Sequence, residues 1–170
     1  MAPDQRFDAL ARELIEPLRR FLARRADPAT AEDALAETLL VLWRRLDDVP
    51  EQPLPWAYAV ARNCLANALR GERRQARLAA RAASMEQPQV EEGPEVVLGV
   101  DDELATALAA LPEQDAELLR LWAWEQLEPR EIAEVLEITA NAVSVRLHRA
   151  RARLRAQLER VPGEVETPGL

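Results

Sequence analysis

Two segments of the sequence are rich in arginine, and arginine side chains can bind phosphates or the edges of bases. Residues 62–81 contain six arginines and one acid, Glu72, and residues 138–160 contain six arginines and one acid, Glu159. Each segment therefore carries +5, although the 170-residue chain has a net charge of −8. Screening confines charge effects to about 10 Å, so local charge decides phosphate binding. The arginine fork would suit phosphate and guanine, although GC-rich codon bias also explains why every basic residue is an arginine. The local positive charge predicts that both segments contact nucleic acid.

The residues that support catalysis or metal binding are nearly absent. His148 is the single histidine and Cys64 the single cysteine, so neither a histidine–cysteine metal set nor an intrachain disulfide can form. The five glycines are scattered, and no glycine-rich loop can hold a nucleotide phosphate. The sequence predicts a protein that is not an enzyme and has no metal site and no cofactor.

Residues 129–155 have the pattern of a helix-turn-helix, which presents its second helix to the major groove. Thr139 is a good N-cap for that second helix. Residues near the start of the helix can reach base edges, and later arginines suit phosphates. A solvated arginine-rich face on a structural helix is the alternative, and it explains some of the arginines. The predicted DNA-binding residues are Thr139, Asn141, Ser144, Val145, His148, Arg149, Arg151, Arg153 and Arg155.

A second polar face is predicted on the helix that contains residues 62–81. Asn63, Asn67, Arg70 and Arg74 are spaced by four, three and four residues, which places them on one side of a helix. Asparagines can bond bases while arginines follow the backbone, so this face also predicts DNA contact. A merely solvated helix face is the alternative.

The elements that position these residues are predicted to be helices only, because alanine, leucine, arginine and glutamate dominate the sequence. We expect an all-α fold, with two small helical domains joined by a flexible acidic linker. Proline should break or kink the first helix near Pro17, and Trp43 and Trp56 are interpreted as core residues. Helices are predicted over 7–25, from Pro28 (capped by Asp27) to about Leu46, and from Pro55 onward.

The predicted domain limits follow composition. Residues 1–83 form the first domain, 84–100 the linker, 101–160 the helix-turn-helix domain and 161–170 a disordered tail. No apolar run approaches the roughly 18 residues of a membrane span, and the N-terminus lacks the pattern of a secretory signal. The protein is predicted to be cytoplasmic, without membrane insertion.

The chain resembles a bacterial RNA polymerase sigma factor of the two-domain, extracytoplasmic-function type. The resemblance lies in TAEDALAETLLVLWRRLDD (30–48), in PWAYAVARNCLANALRGERR (55–74) and in the segment that ends with PREIAEVLEITANAVSVRLHRARARLR (129–155). It implies that the protein binds core RNA polymerase and promoter DNA. The helix around Asp33 and Glu37 would dock on the polymerase. The second domain would read the −35 element, and the linker would pass near the active-site channel of the polymerase.

The resemblance also implies how the promoter is opened and how the protein is controlled. The loop before Pro55, with Asn63 and Asn67, would capture an unpaired base of the −10 element. Arg70, Arg73 and Arg74 would also bind DNA at this element. A dedicated anti-sigma factor would sequester the protein.

Two other functions are compatible with parts of the sequence. A free-standing helix-turn-helix repressor or activator would need a dimer interface that sets two recognition helices one DNA turn apart. The second basic domain and the lack of an evident dimerisation helix argue against it. An RNA-binding protein is weaker still, because no RNA-module pattern occurs.

Overall fold

A computed structural model of the chain describes residues 2–83 and 102–160, and every regular element in these ranges is a helix. The predicted all-α fold class is therefore confirmed. The chain forms two compact units. The predicted linker (84–100) and tail (161–170) lie outside the described residues. Within the described ranges, no helix is both long and apolar enough to cross a bilayer.

The first unit is built from three helices, α1 (Pro3–Ala23), α2 (Pro28–Arg44) and α3 (Pro53–Ala82), with a short 3₁₀ turn at Leu46–Asp48. Each α-helix begins with a proline, whose missing N–H costs nothing at that position. The third helix thus begins at Pro53, two residues before the predicted Pro55. The helices pack against one another around leucines and a phenylalanine that are fully buried: Leu14, Leu18, Phe21 and Leu22 of α1 and Leu42 of α2.

The start of α2 is fixed by the predicted carboxylate cap. The Asp27 side chain accepts hydrogen bonds from the backbone N–H groups of Ala29 and Thr30, at 3.1 Å each, and from the Thr30 hydroxyl at 2.6 Å. These hydrogen bonds lower the pKa of Asp27 below its ordinary value of 3.8, and the bond from the Thr30 hydroxyl has the largest effect. The ionised carboxylate therefore stabilises this helix end.

The first helix does not break near Glu16, because α1 continues through Pro17. The other predicted effect of Pro17, a kink, stays a prediction. Proline deprives the carbonyl four residues earlier, that of Glu13, of its partner. Glu13 is exposed, so water can reach that carbonyl. Leu14 and Leu18, on either side of Pro17, are completely buried and hold both halves of the helix on the core.

Residues 102–160 form four helices, α4 (Asp102–Ala109), α5 (Glu113–Ala123), α6 (Pro129–Leu136) and α7 (Ala140–Arg160). Helices α4 and α5 pack on α7, whose buried residues are Val143, Leu147 and Ala150. Leu121 of α5 and Ile132 of α6 are fully buried. The apolar periodicity of α7 thus sets which of its faces remains open to a ligand.

Candidate nucleic-acid interface

The turn between α6 and α7 is closed by local hydrogen bonds. At the start of α6, the Glu128 N–H donates to the Glu131 carboxylate at 2.7 Å. At its end, Glu137 has φ 55°, and the Ile138 N–H donates to the Ala133 carbonyl at 3.1 Å. A left-handed conformation at a non-glycine residue costs roughly 1–2 kcal/mol. The chain therefore reverses direction within three residues, and these hydrogen bonds fix the direction in which α7 begins.

Thr139 caps α7 as predicted. The Ala142 N–H donates to the Thr139 hydroxyl oxygen at 3.1 Å, and the Val143 N–H donates to the Thr139 carbonyl at 3.0 Å. These bonds satisfy two of the backbone donors that a helix N-terminus leaves unpaired. The first turns of α7 are thus held in register with the turn that precedes them.

The face of α7 opposite its buried stripe is exposed and chemically mixed. Asn141 offers an amide, Val145 is 43% exposed and apolar, His148 offers a ring nitrogen and Arg149 a guanidinium. Ser144 lies at the side of this face, and its hydroxyl donates to the Ala140 carbonyl at 3.1 Å, which leaves its lone pairs as acceptors. Amide, guanidinium and methyl groups are the groups that read adenine, guanine and thymine in the major groove.

The later arginines of α7 differ from one another in a way that their spacing does not reveal. The Arg151 guanidinium lies over the Trp122 ring, 4.7 Å from its centroid, and Arg153 pairs with Asp115. Both partners belong to α5. Arg149 and Arg155 are exposed and, among the described residues, have no hydrogen bond or ion pair. The structure therefore leaves Arg149 and Arg155 open to a ligand and holds Arg151 and Arg153 against the unit itself.

The second polar face lies on α3. Asn63, Asn67, Arg70 and Arg74, which we call the asparagine–arginine stripe, are all exposed on one side of the helix. The Arg70 guanidinium donates to the Asn67 side-chain oxygen, so the two residues support each other. Arg73 is exposed but is turned by about 100° from Arg74 around the helix axis.

The buried side of α3 explains why this face is open. The residues on its opposite side are buried within the first unit: Ala57, Tyr58, Ala61, Cys64 and Leu65.

Burial raises the pKa of the Cys64 thiol, and the charge of Glu37 raises it further by a smaller amount. The hydrogen bond with the Thr38 side chain lowers this pKa. A neutral, buried thiol is a packing group and not a nucleophile.

Asp33 and Glu37 occupy the exposed side of α2, four residues apart and therefore on one face. Leu40 continues this face and is 40% exposed. Trp43, which the sequence predicted to be a core residue, is 43% exposed and packs edge-on against Phe7, with ring centroids 5.2 Å apart. Exposed apolar side chains between acids are suited to a protein partner rather than to DNA.

A helix-turn-helix with an open, mixed polar face is typical of a DNA-binding protein. This face and the separate asparagine–arginine stripe are two candidate contact surfaces. Family models agree with this assignment. A model described as "Sigma-70 region 2" matches residues 7–75, and one described as "Sigma-70, region 4" matches residues 101–154.

Individual proteins show the same relationship. The "Probable RNA polymerase sigma factor RfaY" of Xanthomonas campestris pv. campestris is 33% identical over 144 residues, which are 81% of this chain. The chain spans 36% of the length of that relative. The sequence similarity therefore covers most of this chain but only part of a longer relative.

Solved structures share the fold. The sigma factor RpoE of Bartonella quintana, in complex with the anti-sigma factor NepR, matches with a TM-score of 0.64 and 20% identity, over 91% of this chain and 98% of that chain. CnrH, in complex with the cytosolic domain of CnrY, matches with a TM-score of 0.61 and 25% identity, over 90% of this chain and 87% of that chain. The chain belongs to the sigma-70 family of RNA polymerase sigma factors, in its two-domain extracytoplasmic-function group.

Proposed function

We propose that the protein binds core RNA polymerase in the cytoplasm and directs it to promoters by contacting the −10 and −35 elements. The observation that carries this proposal is the presence of two separate, open DNA-type faces, one in each region matched by a sigma-70 model. The family consists of transcription regulators that are not enzymes, and the exposed groups of both faces are suited to binding. No catalytic role is proposed for any residue.

The −35 element is read by α7. Asn141, Ser144, Val145, His148 and Arg149 lie within the first turns after the Thr139 cap, where a recognition helix meets base edges. Arg155 has no intrachain partner among the described residues and is suited to a phosphate. Arg151 and Arg153 would share their guanidinium groups between DNA and their partners on α5.

The −10 element is bound by α3. Asn63 and Asn67 present amides that can bond an unpaired base, and Arg70, Arg73 and Arg74 follow with positive charge for the backbone. Asn67 is held by Arg70, which limits the freedom of its amide before DNA binds. Base capture from the melted strand is therefore assigned to Asn63 and Asn67.

The polymerase is bound by α2, through Asp33 and Glu37 with the exposed Leu40 beside them. An anti-sigma factor is the proposed regulatory partner, because RpoE and CnrH were each solved in complex with such a partner or with a cytosolic protein domain. The limits of the first domain (1–83), linker, second domain (101–160) and tail remain predictions.

The experiment that tests this function combines the protein with purified core polymerase, followed by size-exclusion chromatography and run-off transcription. We expect co-elution and transcripts with one defined start. Replacing Asp33 and Glu37 together by alanine should abolish co-elution. The matched control, Asp4→Ala with Asp8→Ala, removes the same charge from exposed positions of α1 and should leave co-elution intact. A chain that ignores polymerase and binds promoter DNA as a dimer would support the repressor alternative.

A further inference from the structure

One side of α5 contacts two arginines of α7. Asp115 and Trp122 are seven residues apart, so they lie within about 20° of each other around α5 and two turns apart along it. Asp115, in the first turn, pairs with Arg153, and the Trp122 ring lies 4.7 Å from the Arg151 guanidinium. The residues between them on this side of α5 are buried: Leu118 and Leu119. We call these two arginine contacts the α5–α7 clamp.

The clamp holds α7 at both edges of its buried stripe. At about 100° per residue, Arg151 is about 80° to one side of the direction of Val143, and Arg153 is about 80° to the other side. The opposite face of α7, which includes Val145 and His148, is exposed. Because one contact lies at each edge, the clamp resists rotation of α7 about its own axis in both directions.

Apolar packing between the two helices is a weaker constraint on this rotation. Burial of apolar surface is non-directional, and Ala150, the buried residue nearest the clamp, has a single methyl group. An ion pair and a cation–π contact depend on both distance and direction. The Asp115 side chain is only 15% exposed, so salt screens its carboxylate less than that of a surface acid.

A small rotation of α7 is enough to misplace the groups that read bases. A helix with its side chains has a radius of about 5–6 Å, so the tip of a side chain moves about 1.5 Å when the helix rotates by about 15°. Recognition groups must be held within about 0.5 Å and 10–20° of their working geometry. Loss of the clamp would therefore misdirect Ser144, His148 and Arg149 without removing any of them.

We propose that Asp115 and Trp122 are positioning residues for the −35 element, which hold α7 at the rotation where its exposed face meets the base edges. The proposal rests on the proposed function, because α7 must first be the helix that reads this element. Neither residue needs to touch DNA in this role. Ion pairs near the surface contribute little to stability, so the clamp acts on the orientation of α7 more than on its folding.

The test measures the promoter preference of polymerase that carries the wild-type chain or the double variant Asp115→Asn, Trp122→Leu. A promoter library randomised over both elements gives the base preference at each position. A good base contact discriminates about tenfold between bases. The double variant should lose about three- to tenfold of the preference at −35 positions. Its preference at −10 positions should not change, because α3 is intact.

Two further measurements respond to positioning and not to a general loss of stability. Arg149→Ala should lower the preference at its own base position about tenfold in the wild-type chain but much less in the double variant, because residues that serve one contact are not additive. The logarithm of affinity falls with the logarithm of salt concentration by about 0.9 for each phosphate contact. The magnitude of this salt slope should not fall in the double variant, because Arg151 and Arg153 both remain.

Matched variants separate the clamp from side effects. Asp115→Glu with Trp122→Phe keeps a carboxylate and an aromatic ring, and it should retain the wild-type preference. Glu103→Gln removes the same charge from an exposed position of α4 and should also retain it. Circular dichroism checks the helix content of each variant. If the double variant does not fold, Asp115→Asn alone, which keeps the shape of the side chain, should still lower the −35 preference.

The outcomes separate this inference from the proposed function. Failure of the wild-type chain to give polymerase-dependent transcription with a −35 preference would contradict the proposed function. A wild-type −35 preference that a folded Asp115→Asn, Trp122→Leu variant retains in full would overturn the inference alone. An equal gain or loss on all promoters would also overturn it, because the clamp would then control the charge available to DNA and not the orientation of α7.

Discussion

Replacing Thr139 by alanine removes the side-chain cap of the recognition helix and nothing else of comparable size. The hydroxyl oxygen accepts the Ala142 N–H at 3.1 Å, while the second bond, from the Val143 N–H, uses the Thr139 carbonyl and survives the change. This bond lies at the surface and Ala142 is half-buried, so water can reach the freed Ala142 N–H. The variant therefore isolates the contribution of one capping bond to the placement of α7.

The expected loss is about 1 kcal/mol, within the range of about 0.5–2 kcal/mol that cap removal costs. For a unit of this size, such a loss lowers the melting temperature by roughly 4–8 °C. A loss of about 1 kcal/mol in the free energy of local opening also raises the equilibrium constant for opening the first turns of α7 about fivefold. The amide protons in the first turns of α7 should therefore exchange about five times faster.

The assay is hydrogen exchange of the full chain, followed on peptides from α7 and, as an internal reference, from α2. The matched control is Thr139→Ser, which keeps the hydroxyl and should retain most of the protection. In promoter assays, Thr139→Ala should weaken use of the −35 element more than Thr139→Ser does. Equal protection in Thr139→Ala and wild type, or equal losses in both variants, would refute the capping argument.

Three further predictions concern promoter reading and acid stability. Arg149→Ala should lower selectivity at one or two −35 positions in a promoter library, whereas Arg155→Ala should weaken all sequences alike and reduce the salt slope by about one. Uniform weakening by Arg149→Ala would show that the recognition face is displaced. Asn67→Ala should keep upstream duplex binding and reduce permanganate reactivity of the −10 bases, and normal reactivity would contradict its role in base capture. The folded-state pKa of Asp27 is lowered, so its stabilisation is present above its ordinary pKa of 3.8 and is lost as pH falls through the folded value. The stability gap between wild type and Asp27→Asn should therefore narrow below about pH 4, and a gap constant with pH would contradict this.

The features that depend on local sequence could be predicted well. The helix-turn-helix follows from apolar periodicity, from Pro129 at the start of one helix and from Thr139 before the next, all of which act within a few residues. The Asp27 cap followed by Pro28 is another local signal, and its hydrogen bonds are present in the structure. The positions of both candidate DNA faces could be predicted from the helices and from the spacing of polar residues along them.

Contacts between distant residues could not be predicted. The pairing of Arg153 with Asp115 and the stacking of Arg151 on Trp122 join α7 to α5 across 38 and 29 positions of the chain. No local pattern distinguishes these two arginines from Arg155. The sequence therefore indicated a set of phosphate-binding arginines, and only the packing of α5 on α7 separates the open members from the held ones.

Two misplacements have similar causes. Pro17 removes one backbone hydrogen bond of α1 but does not break the helix, because Leu14 and Leu18 on either side of it are buried in the core. Trp43 follows the apolar spacing of α2, yet it lies at the edge of the unit, where Phe7 covers one side and leaves the other exposed. Its exposure could be found only from the placement of α1 beside α2.

In the proposed function, one molecule uses two separate faces on two different forms of promoter DNA, with polymerase present. The most direct measurement places a photocrosslinking side chain at His148 in one preparation and at Asn63 in another, each assembled with core polymerase on an open promoter. The proposed function predicts that His148 crosslinks to the paired −35 element and that Asn63 crosslinks to an unpaired base of the −10 element, with both signals lost without polymerase. Crosslinks from both positions to paired DNA, formed equally well in the absence of polymerase, would contradict it.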